Sequence, residues 1–407
     1  MKNIVSERSN TVIGLLLIFI LSWNFWLPLA EDFFNLETSP PNPANVDFLA
    51  YYNAGGRFAE GANPYYWEDL EEGEKEYSDY LYPPAMLPIF SLLSNLPYEI
   101  ARHVWLGLYA ISCIVVFAVM YINIQKDIKR SFLLLGVLLT FASYPLLFHI
   151  RNGQSDLLVI SLILLGFVAY WRGFKFISAF ILALATLLKV SPVFLLIFYV
   201  IYLRDLRFLL YYALSIGAAV LLSLFFVPAE LYPDYVLGVL PEVTGGTSYW
   251  LNQSIVKHLT FNPTLARLIS LSGFVIFAIF AFVLGNEDRR RPSRQDHGVL
   301  GDGHLRIEAV FILNLLVILI FAGKVWSMAY VWMILPCAFL LAYLIYQEVR
   351  LWFLMVVGLA VFLMTSKVYG FPILESLNLY GGILMAVALI LWLLKSELVL
   401  LEESTYG

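Results

Sequence analysis

Apolar residues in this chain are grouped in long runs, and the polar residues collect in the segments between the runs. Many of the runs approach the roughly 20 residues that a helix needs to cross a hydrocarbon core of about 30 Å. Helices are required there because lipid cannot pair exposed backbone groups, and the runs lack the alternation that barrel strands show. The pattern therefore predicts an all-α, polytopic membrane helix bundle.

The runs predict about twelve transmembrane helices, with both termini in the cytoplasm. Their expected positions are residues 11–29, 98–123, 131–149, 155–171, 176–189, 191–203, 208–228, 262–285, 307–323, 328–347, 351–367 and 379–395. The first run is too long for a signal peptide and lacks a small-residue cleavage pattern, so we expect it to be retained. Most Lys and Arg residues, including the run RRRPSR at 289–294, then lie in inward loops, in agreement with the positive-inside rule.

A single integral-membrane domain is predicted over residues 1–407, since no internal repeat or low-complexity linker divides the chain. Two large extracytoplasmic loops are expected at residues 30–97 and 228–261, and a basic cytoplasmic loop at 286–306. The first loop ends in a proline-flanked apolar piece at residues 83–97 that is too short to span a membrane. We expect this piece to form a short helix at the outer membrane surface.

Composition narrows the functional classes. With 61% hydrophobic and 14% charged residues, the chain is not a soluble domain with an ordinary polar surface. The net charge of -5 and an acidic patch at residues 68–76 argue against a nucleic-acid partner, and a solvated loop face is the favoured interpretation of the patch. The two cysteines lie in apolar runs, and the five histidines have no metal-site spacing. No metal and no cofactor are therefore predicted.

Polar side chains at membrane depth are the candidates for function, because a charge there costs several kcal/mol unless it faces a cavity or a partner. One carboxylate, Asp47, lies on the predicted outer side with a set of cations and amides. The members of this set are Arg151, Asn152, Gln154, Lys189, Asn252, Lys257, His258 and Lys324. Such a layout suits a substrate that carries a phosphate and hydroxyl groups.

Each candidate also has a structural interpretation. Asp47 precedes an apolar-aromatic run and could cap a helix N-terminus. Arg151 could be a snorkelling interfacial anchor, and Lys189 a solvated residue at a helix end. Asn152 and Gln154 could simply close the turn around the glycine between them.

The sequence leaves the roles of three further kinds of residue open. Tyr51, Tyr52 and Tyr82 could form an aromatic belt at the interface, or they could line a groove that binds a sugar. His149 is interpreted as an interfacial histidine rather than a ligand. Asn252 also begins a glycan-acceptor triplet, a pattern that is frequent by chance.

Short motifs carry a resemblance to a known family. They are DFLAYYNAG from Asp47, NPYY from Asn63, YLYPP from Tyr80, NGQSDLL from Asn152, KVSP from Lys189 and LNQS from Leu251. In this order and spacing they resemble family GT87 of the GT-C superfamily, the membrane glycosyltransferases that depend on polyprenyl-phosphate sugars. The resemblance covers roughly residues 10 to 350.

The resemblance implies a GT-C helix bundle with short surface helices in the first outer loop. It implies an enzyme of the cytoplasmic membrane that moves mannose, or in some branches arabinofuranose, from a polyprenyl-phosphate carrier. The acceptor would be a hydroxyl of a glycolipid or glycan on the extracytoplasmic face. Asp47 matches the acidic residue taken as the catalytic base in relatives.

The remaining roles are assigned on chemical grounds. A lipid phosphate leaves as an anion and needs positive charge, for which Arg151 and Lys189 are the main candidates. Gln154 and Asn252 could bind hydroxyl or phosphate oxygens. Further donor-binding candidates are Lys257, His258 and Lys324, and Asn152 with the three tyrosines could line the substrate groove.

The chain departs from the family pattern near the tenth predicted helix. Many relatives carry a histidine-bearing stretch there, whereas this chain reads KVWSMAYVWMILP from Lys324 to Pro336, without histidine. This departure leaves donor and acceptor identity open. A transporter or flippase for a lipid-linked sugar is the main alternative from another class, although the chain lacks the repeated halves common in transporters. A non-catalytic membrane scaffold would leave the clustered outer motifs unexplained.

Overall fold

The computed structural model describes residues 46–65, 79–248, 252–290, 305–347, 349–366 and 374–394. Over these ranges the chain is helical and forms no strand, apart from an isolated bridge between Asn252 and Trp326. The all-α prediction is therefore confirmed for the described part. The predicted first crossing at 11–29 and the acidic patch at 68–76 lie outside the described residues, as does most of the basic run at 289–294.

Fifteen α-helices follow one another in the described ranges. They are α1 Val46–Ala59, α2 Leu87–Ser94, α3 Tyr98–Asn123, α4 Lys129–Ala142, α5 Tyr144–Asn152, α6 Asp156–Trp171, α7 Lys175–Leu188, α8 Leu206–Ser223, α9 Leu231–Asp234, α10 Leu240–Gly245, α11 Pro263–Arg290, α12 Leu305–Phe321, α13 Ile334–Tyr346, α14 Leu351–Thr365 and α15 Leu377–Leu394. Shorter 3-10 segments occupy Pro84–Met86, Lys126–Ile128, Ser191–Leu195, Ile255–Leu259, Ser327–Met333 and Leu374–Ser376, and π-helical segments occupy Ile197–Tyr202 and Tyr235–Val239.

Each predicted apolar segment from residue 98 onward coincides with helical structure, but the predicted count of about twelve crossings is not confirmed. Five described segments are long and apolar enough to span a membrane, and a sixth exists if the bent pair α4 and α5 is one span. The five are Tyr98–Asn123, Leu206–Ser223, Pro263–Arg289, Ser327–Tyr346 and Leu374–Leu394. Others, such as α6, α7 and α14, have 10–17 residues. At 1.5 Å per residue they fall short of a hydrocarbon core of about 30 Å.

The predicted crossing at 131–149 is broken into two helices. Ser143 adopts an extended conformation between α4 and α5, and Pro145 lies in the first turn of α5. Because proline has no backbone N–H, Pro145 cannot donate the hydrogen bond that would continue helix α4. The break between the two helices therefore lies next to this proline. The two helices meet at 55°.

Burial separates central helices from peripheral ones. Almost every residue of α12 is buried, and so is 94% of the apolar window in Ser327–Tyr346. The windows of α3 and α8 are only 22% buried, although they are also apolar, with mean hydropathies of 2.2 and 1.7. Because a helix that is apolar all round is stable only inside a protein or against lipid, the peripheral helices face the bilayer.

The segment predicted as the first outer loop contains short helices, as the sequence predicts. The 3-10 turn Pro84–Met86 leads into α2, which ends before Pro97. Helix α1 packs so closely on α2 that a Cβ atom at Gly55 would lie 2.3 Å from the backbone of Phe90. The position of these helices at an outer membrane surface stays a prediction.

A second close contact joins α1 to the turn after α5. Gly153 has φ of 75°, which an L side chain rarely adopts, and a Cβ atom there would lie 2.5 Å from the Cβ of Phe48. The chain reversal and the docking of α1 therefore both require glycine at this position.

We predict that Gly153→Ala destabilises the protein by roughly 2–5 kcal/mol, the sum of a left-handed backbone cost and an overpacking cost. Gly173→Ala is the matched control, since Gly173 also has positive φ, 86°, but no atom within 4 Å of its Cβ position. Thermal unfolding of both variants in detergent measures the difference. Equal losses of stability would show that the contact with Phe48 contributes nothing.

Candidate active site

Asp47 lies in the first turn of α1, and only 8% of its surface is exposed. The helix is described from Val46, so Asp47 is inside the first turn rather than ahead of the helix, where the capping interpretation placed it. Negative charge is favourable near a helix N-terminus. The charge of Asp47 also acts on the phenols of Tyr51 and Tyr82, so the carboxylate is close to both rings.

Tyr51 and Tyr82 form a hydroxyl pair beside Asp47. Their oxygens are 2.6 Å apart, and both phenols also reach Oε1 of Gln154, at 3.4 and 3.5 Å. Burial raises the pKa of both phenols, and the charge of Asp47 raises them further. Both phenols therefore keep their protons at neutral pH and remain hydrogen-bond donors.

The backbone of the turn that follows α5 is held from α3. The indole Nε1 of Trp105 donates to the carbonyl of Gly153 at 3.0 Å, and the hydroxyl of Tyr109 donates to the carbonyl of Gln154. The carbonyl of His149 accepts the amides of Gly153 and Gln154, at 3.0 and 3.3 Å. These contacts fix the side chain of Gln154, which is only 2% exposed, beside the phenols.

Asn152 stabilises the same turn through its side-chain amide. Its Nδ2 donates to the carbonyl of Phe148 at 3.0 Å and approaches Sδ of Met328 at 3.7 Å. Asn152 is 2% exposed. Its amide thus links α5 to the 3-10 segment Ser327–Met333, and its predicted place in the substrate groove stays a prediction.

Asp156 and Lys189 form an ion pair at the ends of α6 and α7. The Lys189 ammonium lies 2.6 and 2.7 Å from the two carboxylate oxygens of Asp156. The Asp156 side chain is completely buried and that of Lys189 is 17% exposed. Lys189 is therefore an ion-pair partner rather than a solvated residue at a helix end. The pair lies near the phenols, because the charge of Asp156 also acts on Tyr82.

Arg151 lies on the exposed side of the turn between α5 and α6. Its guanidinium makes no hydrogen bond or ion pair with the rest of the described ranges, whereas Asn152, Gln154 and Asp156 beside it are buried. The snorkelling interpretation and the phosphate-binding prediction for Arg151 both fit this position.

Asn252 is wholly buried, and its amide is used by the backbone around it. Nδ2 donates to the carbonyls of Thr247 and Gly323, at 2.9 and 3.2 Å. Oδ1 accepts from the amide and hydroxyl of Ser254 and from the amide of Val325, at 3.1, 3.0 and 3.1 Å. Both amide hydrogens are therefore occupied, which makes Asn252 a support for the local backbone; its predicted contact with the donor stays untested.

The other predicted cations pair with residues outside this cluster. Lys324 binds Glu242 at 2.6 Å, and Lys257 lies 3.8 Å from Glu375. His258 approaches the hydroxyl of Ser376 at 3.4 Å. Burial lowers the pKa of both Lys257 and His258.

Of the three predicted groove tyrosines, Tyr52 is separate from the hydroxyl pair. Its hydroxyl donates to the carbonyl of Leu96 at 2.8 Å, and its ring packs edge-on against Tyr98. Tyr52 thus joins α1 to the start of α3. The structure brings together Asp47, Tyr51, Tyr82 and Gln154, with the Asp156–Lys189 pair adjoining them.

Two features of the site were missed at the level of sequence. The pairing of Asp156 with Lys189 joins residues 33 positions apart and has no local signature. His149 was expected at the membrane interface, but it is completely buried inside the protein and packs against the ring of Tyr109. An isolated histidine in an apolar run gives no signal that separates these two environments.

No three His, Cys, Asp or Glu side chains come close enough to hold a metal ion within the ranges the structure covers. The expectation of a metal-independent protein stays a prediction.

The membrane-length helices and the buried cluster of carboxylates, phenols and a paired cation define an integral membrane protein with a polar site inside it. The family model for glycosyltransferase family 87 matches residues 80–297, more than half of the 407 residues. The chain belongs to glycosyltransferase family 87, and it is a membrane glycosyltransferase. No curated protein matches the chain.

The matched range includes Tyr82, Gln154, Asp156 and Lys189, but it begins after Asp47. The role of Asp47 therefore depends on its motif and on its contacts with the matched part of the chain. Membership of this family implies a lipid-linked donor.

We predict that Asp156→Ala destabilises the protein by about 3–5 kcal/mol, because it leaves the Lys189 ammonium without its buried partner. The double variant Asp156→Leu, Lys189→Met should regain most of that loss. Glu242→Ala is the control, since Glu242 is 59% exposed in its pair with Lys324 and should cost less than about 1 kcal/mol. Chemical unfolding in mixed micelles measures the stability of all three variants. A loss of stability for Asp156→Ala no larger than that of the control would show that the ion pair does not stabilise the fold.

Proposed function

We propose that this protein transfers a sugar, mannose in the first instance, from a polyprenyl-phosphate carrier to a hydroxyl of a glycolipid or glycan. The observation that supports it is the nearly buried Asp47 carboxylate beside Tyr51 and Tyr82, with the Asp156–Lys189 pair acting on the same Tyr82. A base next to phenol donors, with a paired cation nearby, suits a reaction in which a hydroxyl attacks and a phosphate leaves.

The proposed reaction is a single displacement at the anomeric carbon. The acceptor oxygen forms a bond to that carbon as the bond to the phosphate oxygen breaks, and the configuration inverts. An alcohol is a poor nucleophile at neutral pH, so Asp47 takes the hydroxyl proton as the new bond forms. The leaving polyprenyl phosphate departs with the bonding pair as an anion.

Positive charge stabilises that anion in this proposal. Lys189 has three N–H donors, and Asp156 accepts from it at 2.6 and 2.7 Å, which leaves one N–H for a phosphate oxygen. Arg151, exposed on the neighbouring turn, is the proposed second cation. Lys257, His258 and Lys324 are proposed as more distant donor contacts.

The phenols and the amide are proposed to orient the reacting hydroxyls. Tyr51 and Tyr82 remain protonated beside Asp47, and since one phenol proton lies in the 2.6 Å bond between the two hydroxyls, the pair has one O–H to donate to a sugar oxygen. Gln154 offers both a carbonyl and an amide group next to them. Donors held in place before the substrate binds cost no reorganisation during the reaction.

A lipid carrier requires a site that its headgroup can reach from the bilayer. Removing a polyprenyl chain from the bilayer costs about 0.8 kcal/mol per CH₂, so the enzyme must meet the headgroup at the membrane surface. We propose that this surface is the extracytoplasmic face of the cytoplasmic membrane, with both termini inside and the large loop at residues 30–97 outside. The short helix α2 is then available as a wall for the lipid headgroup.

Arabinofuranose is the alternative donor sugar, since the stretch from Lys324 to Pro336 lacks the histidine that many relatives carry. A lipid-linked-sugar transporter is the alternative from another class. The transfer assay in detergent described below separates both alternatives from the proposal.

Asp47→Asn should lower the rate of sugar transfer by about 10²- to 10⁴-fold, because an amide cannot accept the hydroxyl proton. The shape of the side chain is preserved, so the melting temperature should stay unchanged. Asp127→Asn, at an exposed position after α3, is the control and should keep full activity. Transfer close to the wild-type rate in Asp47→Asn would remove the carboxylate from the mechanism.

Purified protein in detergent should convert a polyprenyl-phosphate mannose and a sugar acceptor to a glycoside, with no membrane barrier present. A transporter would bind the carrier but form no product under these conditions. Parallel reactions with the mannose and arabinofuranose donors compare the two sugars, and product formed only from the pentose donor would favour the arabinofuranose alternative. Chromatography of the radiolabelled product measures both outcomes.

A further inference from the structure

His149 has no hydrogen-bond partner for either ring nitrogen among the described residues, although its side chain is completely buried. A buried polar group without a partner costs about 1–3 kcal/mol, so native proteins retain one only where something else uses it. The ring is held in place by Tyr109, whose centroid is 4.9 Å away. The proposed mechanism as given above makes no use of this imidazole.

Further unpaired polar atoms lie on the segment that faces α5. The 3-10 segment Ser327–Met333 packs against α5 through Phe148 and Met328, and Asn152 bonds Met328. On that segment the Ser327 hydroxyl and the Trp332 indole N–H are buried and also lack a partner in the described ranges. Hydrogen-bonding groups without a partner thus occur both on α5 and on the 3-10 segment that packs against it.

The charge near the His149 ring indicates what kind of ligand would pair with its nitrogens. Lys189 is the charged group that acts on His149, and its ammonium is held by Asp156 with one N–H left over. Tyr109 is the other titratable group against the ring. Tyr109 also donates to the carbonyl of Gln154, so the ring lies beside the turn that leads to Asp156, the partner of Lys189. An imidazole N–H and an ammonium N–H in this part of the site offer donors to an anion, and a phosphate diester presents only acceptor oxygens.

We propose that His149 binds the phosphate of the lipid carrier together with Lys189. The inference rests on the proposed function, in which that phosphate is the leaving group. It assigns His149 as a residue that binds the phosphate. Lys189 is 17% exposed and His149 is not exposed, so we expect the phosphate to reach the ring from the Lys189 side. His149 thereby acts as a substrate-binding residue for the donor.

The test uses purified full-length protein in detergent and three ligands: farnesyl phosphate, farnesol and farnesyl-phosphoryl mannose. His149→Phe keeps a ring against Tyr109 and removes both nitrogens. Because no protein group loses a partner, this variant should melt at or above the wild-type temperature. Its affinity for farnesyl phosphate should fall about 10- to 100-fold, the effect of one charge-assisted hydrogen bond. Its affinity for farnesol should not change.

Two further variants complete the experiment. His149→Gln keeps an N–H donor on a shorter side chain and should recover part of the affinity for farnesyl phosphate. His103→Phe is the matched control, because His103 is an exposed histidine on α3 whose Nδ1 contacts only the carbonyl of Glu99. It should bind all three ligands as the wild type does.

Several results would overturn the proposal. His149→Phe could bind farnesyl phosphate as tightly as the wild type, or lose affinity for farnesol to the same extent. It could lose affinity only for the mannosyl compound, which would assign the ring to the sugar. A lower melting temperature for His149→Phe would mean that the nitrogens serve the fold instead.

The same experiment separates this inference from the proposed function. Wild-type protein that transfers sugar, while His149→Phe binds farnesyl phosphate normally, would overturn the inference alone. Wild-type protein that binds farnesyl phosphate through His149 but transfers no sugar would overturn the proposed function alone. Failure of the wild type to bind farnesyl phosphate would overturn both.

Discussion

The contact between Gly153 and Phe48 is the constraint on which the candidate site depends. Asp47 comes from a helix outside the range matched by the family, whereas Gln154, Asp156 and Lys189 come from inside it. Only a residue without a side chain allows α1 to dock on the turn after α5, because a Cβ at Gly153 would overlap Phe48. Docking of α1 therefore places the carboxylate of Asp47 near the phenols and the Gln154 side chain.

The site also shows how a membrane protein keeps charged groups away from lipid. Asp156 is fully buried, and its cost of desolvation is offset by two short contacts to Lys189. Asp47 lies at a helix N-terminus, where the backbone dipole favours negative charge. His149 has neither kind of compensation within the described ranges, a property that it shares with other buried polar groups such as Asn314, Ser327 and Trp332.

Several parts of the fold could be predicted from local sequence alone. The apolar runs from residue 98 onward indicate helices, and α3, α8, α11 and α15 are found at nearly the predicted positions. The prolines around residues 83–97 also indicate the short helix α2. The count of about twelve crossings is not confirmed by the described residues, because runs such as that of α6 are apolar enough for a bilayer but form helices shorter than its hydrocarbon core.

The sequence by itself determined that this is a helical membrane protein and which residue types lie at the ends of its helices, because hydrophobic length and backbone hydrogen bonding are local properties. It also supplied Asp47, Gln154 and Lys189 as candidates. The tertiary structure alone decided that Lys189 is paired with Asp156, that Asn252 supports the backbone and that His149 is buried without a partner. Those outcomes depend on how distant helices pack against one another, and packing across 33 residues or more leaves no periodic trace in the chain.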